Sequence, residues 1–345
     1  VNNRGRIKRD RGVSVNNQYI TFHKFGSPSD VLKVEHRSIA DPERGEVLVR
    51  MLARPINPSD LIPIRGAYSH RIALPSIPGY EGVGIVEAVG DDVAEELIGQ
   101  RVLPLRGEGT WQRFVKAPAS WAVPLPDSVA DDTAAQLYIN PVTAWVICRS
   151  VLGLKPGDTL VVNACGSSLG RIFAQLCKHF GLRLIAVTRN DRHAKELLQL
   201  GAASVINTRD TALLPALMEL TGGLGANAAV DMVGGELGTK LACCVRATGI
   251  FVTLGLLSGV PLDWAEIKRK TNARATMFHL RHWNETVSVQ GWQGTFRELI
   301  SLVQAKKLLL PPPRSRFELS KISEAVRAAE GNEGNEGNQG KCFLM

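Results

Sequence analysis

Asn163-Ala164-Cys165-Gly166-Ser167-Ser168-Leu169-Gly170-Arg171 is the stretch whose reading decides the fold. It follows the apolar run Leu160, Val161, Val162 and precedes the helical pattern Ile172, Phe173, Leu176, Cys177, so it reads as strand, tight turn and helix start. Gly166, Ser167, Ser168, Leu169 and Gly170 keep this turn small enough for a backbone to approach phosphate oxygens. The first helical turn adds unpaired N–H groups and the positive end of a dipole. A dinucleotide pyrophosphate fits such a place, although the pattern departs from Gly-x-Gly-x-x-Gly and a turn of small residues can also serve packing alone. The next strand, Leu184-Ile185-Ala186-Val187-Thr188, ends in Arg189 and Asn190 where an NAD site would want Asp or Glu. A cation there suits a 2′-phosphate, which points to NADPH. Arg192 and Lys195 on the following helix could assist.

The 345 residues suffice for two domains with cores of their own, and 44% apolar with 21% charged residues is ordinary globular composition. No apolar run reaches the length of a membrane span or a secretory core, so a cytoplasmic protein is the default expectation. The net charge of +8 is half concentrated in residues 1–14, where Arg4, Arg6, Lys8, Arg9 and Arg11 face Asp10 alone. Residues 1–16 therefore read as a disordered basic tail, and the folded body lacks the interleaved basic and aromatic residues of a nucleic-acid surface. Gly331 to Gly340 is a low-complexity run before a last short strand. The six cysteines have no regular spacing and none precedes Cys148, which argues against a disulfide scaffold and against zinc in the first half.

From about Gln18 to Val123 the chain alternates short strands with turns, as in Val47–Leu52, Gly84–Val89 and Phe114–Lys116. From Asn140 the texture changes to strands alternating with helices, as βαβ units of a parallel sheet require. The expected domains are a β-rich catalytic unit (residues 17–139 and 283–345) with a dinucleotide-binding unit (140–282) inserted in it.

Four motifs together carry a resemblance: Pro55-Ile56-Asn57-Pro58-Ser59-Asp60, Pro78-Gly79-Tyr80-Glu81-Gly82-Val83-Gly84, Asn140-Pro141-Val142-Thr143-Ala144 and the 163–170 loop. They resemble the medium-chain dehydrogenase/reductase superfamily, from about residue 18 to the end of the chain. The fold class this implies is α/β, with a GroES-like β-rich domain and a Rossmann doubly wound parallel sheet. Zinc alcohol dehydrogenases of that superfamily carry Cys and His ligands where Ser59 and Tyr80 stand here, so a zinc-free branch is expected, with no metal. Ile64-Arg65-Gly66-Ala67-Tyr68 and Gly109-Thr110-Trp111 are similar to the 2-enoyl thioester reductases, mitochondrial type and bacterial relatives. That resemblance implies NADPH held by Asn140, Thr143, Gly166 to Gly170, Arg189, Asn190, Asp191, Gly255, Leu256, Phe278, Leu280 and Lys341. Gly166, Ser168 and His279 depart from that family's usual residues.

The implied reaction adds hydride to the β-carbon of an α,β-unsaturated thioester on coenzyme A or acyl carrier protein, and charge collects on the carbonyl oxygen. Tyr68 is the candidate donor, because a phenol gives a hydrogen bond at neutral pH without ionising. Asn57 and Trp111 are candidates for the substrate pocket. Two alternatives stand beside this: a quinone or alkenal reductase of the same branch, and a nucleotide-sensing or RNA-binding homologue without turnover. A homodimer is expected from the resemblance.

Overall fold

The computed structural model describes residues 15–331 and 340–345. Most of the expected basic tail, residues 1–14, and the core of the Gly/Asn/Glu run, residues 332–339, lie outside the described residues. Val15 and Asn16, expected in the tail, instead open a strand in which they pair with Ile39 and Ser38. The chain divides into two compact units. One comprises the residues up to Ile139 with Ser288–Gln304 and Leu310–Met345, and the other Asn140–Val287 with Ala305–Leu309. The second unit thus runs five residues past the expected 282 and keeps the helix Leu280–Thr286. It also takes back Ala305–Leu309, because Leu309 N–H donates to Gln175 Oε1 at 2.7 Å and its carbonyl accepts Gln175 Nε2 at 3.1 Å.

The first unit begins with β1 (Val15–Phe22) and β2 (Leu32–Ile39), an antiparallel pair. It continues with β3 (Glu46–Pro55), β4 (Val83–Val89), β5 (Arg101–Leu103), β6 (Phe114–Pro118) and β7 (Val123–Pro124). Alternation along β3 sends Val47, Val49 and Met51 into one cluster with Val86, Val102 and Val115. Leu48 joins Ile39 and Phe114 on the opposite face. Burying each such side chain contributes about 1.5–3 kcal/mol, which holds β3 in the middle of the sheet. A third cluster gathers Ile20, Phe22, Ile64, Trp111 and Leu344 from distant parts of the sequence.

The second unit is built on β8 (Thr159–Val162), β9 (Arg183–Thr188), β10 (Ala202–Asn207), β11 (Ala226–Asp231), β12 (Val245–Thr253) and β13 (Arg274–Met277). All pairings are parallel and the spatial order is β10-β9-β8-β11-β12-β13. Every residue of β8 is buried, as expected for a parallel strand covered on both faces. The order reverses between β8 and β11, and in such sheets ligands bind beyond the carboxyl ends at that switch point. This is the Rossmann arrangement expected from the sequence. The chain then closes the first unit with β14 (Ser315–Phe317) and β15 (Cys342–Leu344), giving a sheet of order β14-β15-β3-β4-β5-β7 with β6 on β3.

Candidate functional site

In the second unit the loop after β8 lies at the switch point. Asn163, fully buried, donates from Nδ2 to Asp231 Oδ1 at 2.6 Å and accepts the Met232 N–H at 2.8 Å. Asp231, at the end of β11, also accepts the N–H groups of Val233 and Gly234 and the Thr253 hydroxyl. The two loops flanking the switch point are thereby fixed to each other. Ala164 takes a left-handed φ of 48°, and Ser167 caps the helix Ser168–Phe180 by accepting the Gly170 N–H at 3.1 Å. A Cβ on Gly170 would stand 2.3 Å from the Cys165 Cα, so only glycine permits the close helix–strand contact.

Arg189 and Asn190 are exposed just past β9. Asn190 Oδ1 accepts the Arg192 N–H, which holds the short turn, and the Asp191 carboxylate accepts Asn207 Nδ2 at 3.1 Å. Arg189, Asp191 and Arg192 are the charged, exposed residues of this turn. Gly255 packs with its Cα against Met232, and a Cβ would lie 2.7 Å from the Met232 carbonyl oxygen. Leu256 is half exposed, and Phe278 N–H donates to Thr253 O at 2.8 Å, continuing β13 into the helix that Leu280 begins. Asn140 and Thr143 sit in the first turns of the helix Ile139–Val146, Thr143 buried.

In the first unit Tyr68 is 40% exposed and adopts φ 67°, a left-handed conformation that a bulky residue rarely takes. The Arg71 guanidinium carbon lies 4.2 Å from the centroid of its ring. Asn57 and Trp111, expected to line a substrate pocket, do not present surface to a ligand. Asn57 is 2% exposed and spends its Nδ2 on Glu81 Oε1 at 2.8 Å. Trp111 is fully buried in the core, with its indole against Gly79, where a Cβ would lie 2.2 Å from the Trp111 Cδ1. Both residues brace the loops because the apolar core claims the indole and a buried carboxylate claims the amide.

That carboxylate belongs to a polar group the sequence did not bring together. Asp60 Oδ2 accepts the Asn57 N–H at 2.7 Å and Oδ1 accepts the Tyr80 N–H at 3.1 Å. Glu81 Oε2 accepts the Ile139 N–H at 2.8 Å, and Lys341 Nζ lies 3.1 Å from Glu81 Oε1. Lys341, expected at the cofactor, is thus engaged in a buried ion pair. Burial pushes the Asp60 carboxyl up to about 7 and raises the Tyr80 phenol, which Asp60 and Tyr68 raise further. The signal in the sequence was a lone acidic residue inside the apolar, glycine-rich run that leads into β4.

Among the described residues no group of three or more His, Cys, Asp or Glu is placed to hold a metal ion. The Glu81 carboxylate beside Tyr80 is already committed to Lys341, Asn57 and the Ile139 N–H, and with Ser59 and Tyr80 as the remaining donors this set does not fit a tetrahedral zinc. Nor is any described helix long and apolar enough to cross a membrane.

A glycine-bearing loop at the switch point of a parallel sheet, with a β-rich unit in the same chain, defines a dinucleotide-dependent oxidoreductase. Comparison with known proteins agrees. Residues 43–127 match the alcohol dehydrogenase GroES-like domain, and residues 168–305 match the zinc-binding dehydrogenase family. The chain is 30% identical over 321 residues to the mitochondrial enoyl-[acyl-carrier-protein] reductase of Xenopus tropicalis, covering 89% of this chain and 90% of the relative. It is 56% identical to a candidate NADPH:quinone reductase of Bacillus thuringiensis, with a TM-score of 0.93 over 96% of this chain and 99% of the other. The Escherichia coli quinone oxidoreductase, solved with NADPH, is 26% identical with a TM-score of 0.84 over 95% and 99% of the two chains. The chain belongs to the medium-chain dehydrogenase/reductase superfamily and is an NAD(P)H-dependent oxidoreductase of its quinone oxidoreductase and enoyl reductase branch.

Proposed function

We propose that the protein is an NADPH-dependent quinone reductase, or a reductase of a related conjugated carbonyl compound. The observation that carries this reading is the 56% identity to the Bacillus thuringiensis protein across nearly the full length of both chains. The exposed Arg189 at the end of β9 supports NADPH over NADH. The cofactor, when bound, supplies the hydride. The 163–170 loop holds its pyrophosphate, Arg189 and Asn190 its 2′-phosphate, and Gly255, Leu256, Phe278 and Leu280 wall its nicotinamide end. Tyr68 donates a hydrogen bond to the oxygen that gains charge as the substrate is reduced.

A second reading keeps the same donor and cofactor and takes 2-enoyl thioesters as substrate. It is favoured by the identity to mitochondrial enoyl reductases and by the strained, exposed Tyr68. Measuring kcat/KM with NADPH for a quinone, an alkenal, crotonyl-CoA and longer enoyl-CoAs separates the two. A quinone or alkenal preferred by tenfold or more supports the first reading, and a preferred enoyl-CoA replaces it with the second.

We also propose a homodimer. β13 is an edge strand whose Arg274, Ala275 and Met277 are exposed, Met277 at 69%, and an unpaired edge of this kind favours pairing with a second copy.

A further inference from the structure

Arg171 follows the phosphate loop directly and stands in the first turn of the helix Ser168–Phe180, yet it is only 7% exposed. Its guanidinium is almost fully engaged. Nε donates to Glu196 Oε1 at 2.9 Å, Nη1 donates to the Gly166 carbonyl oxygen, and Nη2 donates to Glu196 Oε2 and to His193 Nδ1, both at 3.1 Å. His193 Nδ1 also lies 3.5 Å from Glu196 Oε2, but its shorter contact is with Arg171 Nη2, and because guanidinium has only donors Nδ1 accepts there with its lone pair. The ring proton of neutral His193 is therefore on Nε2.

The Nε2 edge of that ring faces the phosphate loop. A Cβ built on Gly166 would lie 2.7 Å from His193 Cδ2 and 3.5 Å from Nε2, so the imidazole edge lies directly against the Gly166 Cα. No described residue takes up the Nε2–H, and the side chain is 22% exposed, so this donor is open to a bound group. Burial, then the Arg171 and Arg192 cations against Glu196, hold His193 below the ordinary histidine range, so the neutral tautomer persists at neutral pH.

We propose that His193 is a cofactor-contacting residue, whose Nε2–H donates to a phosphate oxygen of the dinucleotide at the Gly166 turn. Arg171 and Glu196 act as positioning residues that fix its tautomer. A side chain at 166 would press on the imidazole, its Cβ falling 2.7 Å from His193 Cδ2. The inference rests on the NADPH reading above and extends it to a residue outside the loop.

Two substitutions separate the functions of the two ring nitrogens. His193→Asn keeps an acceptor near the Nδ1 position for Arg171 and removes the outer donor. His193→Gln keeps a donor near the Nε2 position. Dissociation constants for NADPH and NADH are measured by isothermal titration calorimetry on wild type and both variants. His193→Asn should weaken NADPH at least tenfold, while His193→Gln stays within threefold of wild type. An equal loss with NADH marks the pyrophosphate as the partner, and a loss confined to NADPH marks the 2′-phosphate. His193→Asn within threefold of wild type, or equal losses in both variants, overturns the proposal. A wild type that binds no NADPH removes the cofactor reading and this proposal together, whereas wild-type binding with an unaffected Asn variant removes the proposal alone. Nitrogen-15 spectra of the free protein should also show His193 as the Nε2–H tautomer, and the Nδ1–H tautomer would contradict the assignment.

Discussion

Lys341 Nζ lies 3.1 Å from Glu81 Oε1, with the two side chains 10% and 1% exposed. The pair joins the strand-end residue before β15 to the loop before β4 inside one unit, across 260 positions of sequence. Removing one partner leaves a charge in a buried place. Lys341→Met should therefore lower unfolding stability by about 3 kcal/mol, the scale expected for a broken buried pair. Glu81→Gln combined with Lys341→Met removes the unpaired charge and should recover part of that loss, although the Gln NH2 then faces an N–H donor from Asn57 or Ile139. Urea unfolding of the single and double variants checks this, and a double variant no more stable than Lys341→Met would contradict it.

Asp60 gives a pH dependence whose sign follows from its burial. Its carboxyl sits at about 7 in the folded protein, against an ordinary 3.8, chiefly because burial disfavours the charge. Between these values the folded state holds a proton that the unfolded chain releases. The stabilisation is complete below about pH 4 and is lost as pH rises through about 7. Relative to wild type, Asp60→Asn should gain stability by about 1 kcal/mol or more between pH 4.5 and 7.5. Urea midpoints for the two proteins across that range give the difference directly, and a difference that does not change with pH would contradict it.

On the proposed reading, Arg189 sets the choice of NADPH over NADH. Wild type should bind NADPH at least ten times more tightly than NADH, which needs only about 1.4 kcal/mol from one charge-assisted phosphate contact. Arg189→Ala should erase most of that ratio. Titration of both cofactors into both proteins decides it, and a wild type that does not discriminate would sink the argument.

Tyr68→Phe keeps the ring over which Arg71 lies and removes only the hydroxyl. Loss of an oxyanion donor costs roughly 2.7 kcal/mol or more, so kcat should fall about a hundredfold or more with enoyl thioesters. NADPH affinity should change little. Turnover within about threefold of wild type would remove Tyr68 from the chemistry.

What the sequence made legible was local. The 163–170 turn, its strand and its helix are neighbours along the chain, and periodicity with small residues is enough to read them. The parallel sheet followed from the alternation of strands and helices. Long-range partners were not readable in the same way. Nothing near Trp111 signals that Gly79 would press against its indole and that the core would enclose it. Nothing near Lys341 names Glu81, and nothing near Gly166 names His193, because such contacts depend on how strands far apart in sequence are stacked. Val15 and Asn16 looked like tail because they adjoin the basic run, and the partners that make them a strand, Ile39 and Ser38, lie more than twenty positions away.

The most direct measurement is NADPH oxidation in the presence of a quinone, followed at the nicotinamide absorbance, with protein dialysed exhaustively against a chelator. The account predicts turnover equal to that of untreated protein, because Ser59, Tyr80 and a Glu81 already paired with Lys341 offer no tetrahedral site. Activity that disappears on chelation and returns with zinc, or no NADPH oxidation by the untreated protein with any quinone, alkenal or enoyl thioester, would contradict it.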